Sequence, residues 1–158
     1  MKIRSLVADD IPAAAALLRR AAEAFILHES TPADGAVFLA EQGEDGIRGF
    51  LDKGYVYHVA EVDGTLAGFI AVRERNHVYS LYVDSRFHRR GIARRLWETA
   101  SQAAFGPDHP GAFTVNASNH AVPFYASLGF VPTAPTQVGI VRYNPMRLTI
   151  DGALVDPA

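Results

Sequence analysis

The residues best suited to chemistry in this 158-residue chain lie between His77 and Ala93. A β-like run ends at Val83, a polar turn follows, and His88-Arg89-Arg90-Gly91-Ile92-Ala93 opens a helical segment. The first amides of a helix have no internal acceptors and stand at the positive end of its dipole. A glycine there lets the backbone approach an anion, and neighbouring guanidiniums add charge that suits phosphate. Small Ala93 permits close packing. Together these features describe a diphosphate cradle. Two other readings stay open on the residues alone: Arg89, Arg90, Arg94 and Arg95 as a solvated helix face, or as a nucleic-acid patch. A Walker-type loop is excluded, because its glycine spacing and Lys-Ser/Thr pair are missing.

Composition narrows the chemistry. The formal net charge is -2, which argues against a dedicated nucleic-acid binder. There is no cysteine, so disulfides, thiolate metal sites and a cysteine nucleophile are excluded. No metal site is expected. Met1 to Asp10 lacks the apolar core of a signal peptide, and no apolar run approaches the roughly 18 residues of a membrane span. The expectation is a cytoplasmic protein with no membrane or nucleic-acid partner, folded as one domain over residues 1–158.

The elements that must position these residues can be read from periodicity. Ile3 to Val7 reads as a strand. Asp9 or Asp10 can cap a helix with Pro12 in its first turn and with Ile11, Ala15, Leu18, Ala22 and Phe25 on its buried face. A second helix runs from Thr31-Pro32 to Glu41, and a third lies within Gly43 to Gly54. Tyr55 to Val62 and Thr65 to Arg73 flank Asp63-Gly64, a pair favoured in tight hairpins. His77 to Val83 is a further strand, on which alternation puts His77, Tyr79, Leu81 and Val83 on one face. Gly91 to Phe105 is helical, with Ile92, Leu96, Ala100 and Ala103 on one side. Ala112 to Val115 is a strand, Asn119 to Leu128 a short helix stopped by Gly129, and Val131 to Thr133 and Val138 to Ile150 the last strands. Hairpins beside strand-helix-strand units imply a mixed sheet covered by helices.

The segment from His88 to Ala93 resembles the GNAT superfamily of N-acyltransferases, which carries a glutamine or arginine, two variable residues, a glycine, one variable residue, then glycine or alanine. Arg89, Arg90, Gly91, Ile92 and Ala93 fit, and His88 stands at the glutamine or arginine position. Downstream, the run from Val115 through Asn116, Ser118, Asn119, Ala121, Phe124 and Tyr125 to Leu128-Gly129-Phe130 is similar to the family's later signature. Ser118 stands at the commonest asparagine position, and Asn116 and Asn119 flank it. The order of elements agrees with the family from residue 3 to about 150.

This resemblance implies an α+β (mixed αβ) fold: a central mixed, mostly antiparallel sheet flanked by helices, with splayed parallel strands holding acetyl-CoA. Those strands would be His77 to Val83 and Ala112 to Val115. The pantetheine arm would pair with Leu81, Tyr82 and Val83, and the pyrophosphate would rest on His88, Arg89, Arg90, Gly91, Ile92 and Ala93. Asn116, Asn119 and Phe124 complete the implied co-substrate contacts. The implied reaction is acetyl transfer to a primary amine, on a small molecule or a peptide, by direct attack in a ternary complex. Tyr125 matches the family's general acid, and its phenol, with a pKa of about 10, suits protonation of a departing thiolate. His77 falls where some members place a catalytic glutamate and could accept a proton; Glu74, Tyr79 and a water chain are the other candidates. An amide near Leu81 would polarise the carbonyl. Glu23, His28 and Glu29 would border the acceptor site or form a solvated helix end. Tyr143, Pro145 and Met146 would line that site or an interface, and Trp97 is read as a packing or homodimer contact. An alternative function is a catalytically silent acyl-CoA-binding module that senses or scaffolds.

Overall fold

The computed structural model describes residues 1–150. Its centre is an eight-stranded sheet in the order β1-β2-β3-β4-β5-β8-β6, with β7 paired to β8. The strands are β1 (Lys2–Ser5), β2 (Val56–Val62), β3 (Thr65–Arg73), β4 (His77–Val83), β5 (Ala112–Ala117), β6 (Val131–Pro132), β7 (Gln137–Val138) and β8 (Arg142–Thr149). All pairings are antiparallel except β4 with β5. This is the mixed, mostly antiparallel sheet that the sequence implied.

Helices cover both faces. Helix α1 (Ile11–Phe25), α2 (Pro32–Glu41) and α3 (Glu44–Asp52) precede the central hairpin; α4 (Ile92–Ala104) and α5 (Val122–Ser127) follow it. In α1, Ile11, Ala14, Leu18 and Ala22 recur at helical spacing and are buried with Leu17. They pack with Ile47, Tyr57, Val59 and Phe69 into one core. On the other face Ile92, Leu96, Trp97 and Ala100 of α4 pack with Ile70, Val78, Phe113, Val115, Phe130 and Met146. The expected faces shift slightly: Ala15 and Phe25 are only half-buried, and Ala103 is exposed. Asp10 is at the start of α1 but gives no capping bond there; its carboxylate instead accepts from Arg4 (2.7 and 2.9 Å) and from the Val7 amide (2.8 Å).

The Asp63-Gly64 turn forms as expected, with φ of 50° and 78° and Val62 opposite Thr65. Three boundaries differ. Strand β5 runs on to Ala117. Helix α5 starts at Val122, because Ser118 closes a turn on the Ala121 amide with both its carbonyl (3.0 Å) and its hydroxyl (3.2 Å). The long terminal strand is broken: β7 and β8 form a hairpin around Gly139–Val141, held by Gly139 N–H to Val141 O at 3.3 Å.

Two features of β4 position the site. It pairs with β5 only at His77–Thr114 and Val78–Val115, and beyond those residues the two strands part. It also carries an extra residue: Ser80 pairs with Ala71 and Val78 with Val72, so Tyr79 has no partner. The bulge breaks the expected alternation. Val78, Leu81 and Val83 pack against the α4 side, whereas Tyr79 and Tyr82 pack against the α1–α3 side. His77, one residue before Val78, belongs with Tyr79, so the four residues placed on one face by simple alternation are split between two.

Candidate active site

The turn after β4 is built by local hydrogen bonds. The Asp84 carboxylate is buried and accepts from the Arg86 amide (3.0 Å), from the Arg86 guanidinium (2.9 and 3.2 Å) and from Arg20 of α1 (3.1 Å). The Arg86 hydrogen bonds hold its pKa down to about 2. The His88 Nε2 lies 3.0 Å from the Val83 carbonyl. A carbonyl can only accept, so His88 carries its proton on Nε2 and ties the turn back to the end of the strand. Arg89 (φ 66°) and Gly91 (φ 73°) both adopt the left-handed conformation, which swings the chain into α4. The first intrahelical bond is Arg95 N–H to Gly91 O at 3.1 Å, which leaves the amides of Ile92, Ala93 and Arg94 without internal acceptors. A Cβ built on Gly91 would project into open space, so nothing obstructs an anion there.

These amides open onto a cleft of about 520 Å³. Its lining includes Leu81, Tyr82, Val83, His88, Arg89, Gly91, Ile92, Ala93, Phe124 and Tyr125, all singled out in the sequence. Arg90 does not line it; its guanidinium sits 5.3 Å over the Phe87 ring. Several wall residues carried no sequence signal of their own, among them Ala21, Phe87 and His120. Phe25 had been counted as core, and His120 stacks on it with centroids 4.2 Å apart. The periodicity of α1 could not separate a core position from a cleft wall, and His120, though inside the later signature, occupies one of its variable positions.

A second cavity, of about 350 Å³, lies where β4 and β5 part. Arg73, His77, Tyr79, Gln42, Asn116 and Tyr143 are among its walls. Ile26, Leu81, Tyr82, Ser118, Ala121 and Tyr125 line both cavities, so the two meet across the β4 edge at Tyr125. Tyr125 is 4% exposed, and burial pushes its phenol above the usual value, with Tyr82 adding to the shift. It is therefore protonated near neutrality. His77 Nδ1 is 2.7 Å from Thr114 Oγ1. Burial, reinforced by the Arg73 charge, lowers its pKa to about 4, so its ring is neutral at pH 7. Gln42 donates 2.8 Å to the Tyr79 hydroxyl.

Other expected residues fall elsewhere. Asn119 lines neither cavity; it donates to Glu29 (2.7 Å) and accepts from Asn144 (2.8 Å), joining the segment after α1 to β8. Glu23 pairs with Arg19 at 2.8 Å, and Glu23, His28 and Glu29 stay outside both cavities, as do Glu74, Pro145 and Met146. The acidic residue that does reach the second cavity is Glu41. Trp97 packs edge-on against Phe113 and Phe130, as a core residue.

Comparison with known proteins follows this geometry. A family model described as an acetyltransferase (GNAT) domain matches residues 20–150. No curated protein sequence matches significantly. Among solved structures, a GCN5-related N-acetyltransferase from Rhodopseudomonas palustris superposes with a TM-score of 0.79 at 21% identity, covering 94% of this chain and 95% of that one. The PaiA N-acetyltransferase of Thermoplasma acidophilum, solved in complex with coenzyme A, gives 0.74 at 15% identity, covering 94% and 98%. The putative acetyltransferase YncA of Salmonella typhimurium, solved with acetyl-CoA, gives 0.64 at 24% identity, covering 96% and 94%.

Proposed function

The chain belongs to the GNAT acetyltransferase family, and from that premise we propose that it transfers the acetyl group of acetyl-CoA to a primary amine by direct attack in a ternary complex. The observation that carries this reading is the meeting of two cavities at Tyr125, one opening on unpaired helix amides and the other on polar side chains. A long anionic donor and a small acceptor can then approach one point from opposite sides of the β4 edge. Acetyl-CoA supplies the activated thioester; the S. typhimurium neighbour was solved with acetyl-CoA and the T. acidophilum neighbour with coenzyme A.

In this proposal the amides of Ile92 and Ala93, with Gly91 and Arg89, hold the diphosphate at the positive end of α4. The β5-facing edge of Leu81, Tyr82 and Val83 has no strand partner among the described residues and binds the pantetheine amides as an added strand would. Phe124 packs against the arm. An amide near Leu81, on the edge loosened by the bulge, polarises the thioester carbonyl as negative charge develops there.

Tyr125 donates its proton to the departing sulfur. A thiol has a pKa of about 8.5, so a protonated phenol in a dry site is matched to that task. His77 takes the proton released by the attacking amine, directly or through water. The neutral ring is available for this at pH 7, and Thr114 fixes its orientation. Asn116 stands at the acceptor cavity, and Asn119 holds the loop that positions Ser118.

The test is thiol release from acetyl-CoA across a panel of amines, with Tyr125→Phe beside the parent. The parent is expected to turn over at least one amine. Tyr125→Phe should lower kcat by about a hundredfold while leaving coenzyme A affinity nearly unchanged. Tight coenzyme A binding with no thiol release for any amine would favour the silent acyl-CoA-binding module and overturn the catalytic reading.

A further inference from the structure

Arg73 ends β3, pairs with His77 across the hairpin and lines the second cavity. Its Nε is buried without a hydrogen-bond partner among the described residues. Arg4, Arg19, Arg20, Arg48 and Arg86 each pair with a carboxylate, whereas Arg73 enters none of the ion pairs among the described residues. Holding a guanidinium partly out of water with no counter-charge costs stability. An anion arriving in the cavity would supply the missing counter-charge.

The surroundings suit such an anion. The Tyr79 hydroxyl accepts from Gln42, so its own proton remains free to donate into the cavity. The His77 ring opposite is neutral at pH 7 and adds no charge of its own to that of Arg73. That charge is felt on both neighbours: after burial, it is a further cause lowering the proton affinity of His77, and it opposes the rise at Tyr79. Arg142 adds a second cation to the lining, and the one acid there among the described residues is the exposed Glu41. A polycationic amine would set its own charges against two guanidiniums.

We propose that the acceptor is a small amino acid-like molecule whose carboxylate is bound by Arg73 and Tyr79 while its amine faces Tyr125. A cavity of about 350 Å³ has the size of a small-molecule site. The guanidinium fork offers two parallel donors to a carboxylate, which fixes the orientation of the molecule as well as its affinity. This proposal rests on the acetyl-transfer reading for the role of the amine, but the carboxylate site stands on Arg73 and Tyr79 without it.

The experiment has two readouts. First, α- and ω-amino acids, each beside its carboxamide, and phosphoethanolamine are added to the coenzyme A complex and the thermal midpoint is followed. At least one amino acid should stabilise the parent more than its amide does, and Arg73→Gln should abolish the difference. Second, thiol release from acetyl-CoA is measured with the same pairs. Arg73→Gln should raise KM for the acid about tenfold to a hundredfold and leave the amide little changed, and Arg73→Lys should recover part of the loss. Coenzyme A affinity should be unaltered in both variants, and the midpoint of unliganded Arg73→Gln should be unchanged or higher. Acids and amides bound or used equally by the parent would overturn the carboxylate site while leaving acetyl transfer intact, as would a preference for phosphoethanolamine over every amino acid. Arg73-dependent binding of amino acids without thiol release would support the site and overturn the transfer reading instead.

Discussion

At the scale of single residues, burial decides protonation. Tyr125 and His77 were singled out by position in a motif, but their ionisation follows from the cavities they line. The same burial makes a stability prediction. His77 has a pKa of about 4 in the folded chain against an ordinary 6.5. Between those values the unfolded chain binds a proton that the native ring refuses, so stability falls as pH drops through that window. Above it the contribution is fully present. Burial lowers His58 in the same direction, so both rings contribute. Thermal midpoints at pH 7.5 and 5 should therefore fall less in His77→Gln than in the parent, with His58 maintaining the remainder. Equal drops in the two proteins would show that His77 is not desolvated. Asp84, held at about 2 by its Arg86 bonds, acts only in a more acidic range.

At the scale of elements, the bulge and the splay of β4 make the site. A continuous β4–β5 ladder would close the edge on which the donor is proposed to lie. The close packing of β3 behind that edge is testable. A Cβ on Gly68 would stand 2.8 Å from the Tyr82 carbonyl oxygen, 3.2 Å from Val83 Cγ2 and 3.3 Å from Leu96 Cδ1. Two of these atoms belong to β4 itself and the third to α4, so the strand must move. Gly68→Ala should cost about 1–3 kcal/mol in denaturant unfolding and should weaken coenzyme A binding by calorimetry. A variant of parental stability and affinity would mean that the β4 edge is more yielding than its packing suggests.

At the scale of the molecule, two cores lie on opposite faces of one sheet, and β2, β3 and β4 contribute to both. Loss of either core removes support from strands shared with the other. Thermal unfolding should accordingly be a single transition. Coenzyme A at a hundredfold above its Kd should stabilise the fold by about 2.7 kcal/mol. Two separate calorimetric transitions, only one of them moved by coenzyme A, would contradict this. Among the described residues no helix is long and apolar enough to cross a membrane, and no cluster of three or more His, Asp or Glu could hold a metal.

Much of the fold was legible in the sequence because it is encoded locally. Helical spacing marked α1 and α4, Asp63-Gly64 fixed its hairpin, and Gly91 announced the turn that frees the first amides of α4. The two motifs identified the family because each depends on a short run of chain. What the sequence could not carry were relations between distant segments. The extra residue at Tyr79 leaves no mark in an apolar-rich strand, yet it reverses which side chains share a face. Asn119 looked like a cofactor contact because its partners, Glu29 and Asn144, come from opposite ends of the chain. Arg73 looked like a strand end, and its lack of a counter-charge appears only when every neighbouring element is in place. Local periodicity and turn chemistry determined the elements and the turn that leaves the first amides of α4 without internal acceptors. Tertiary packing decided which faces meet, which charges stay unpaired and where two cavities touch, because burial and electrostatics depend on neighbours that are remote in sequence.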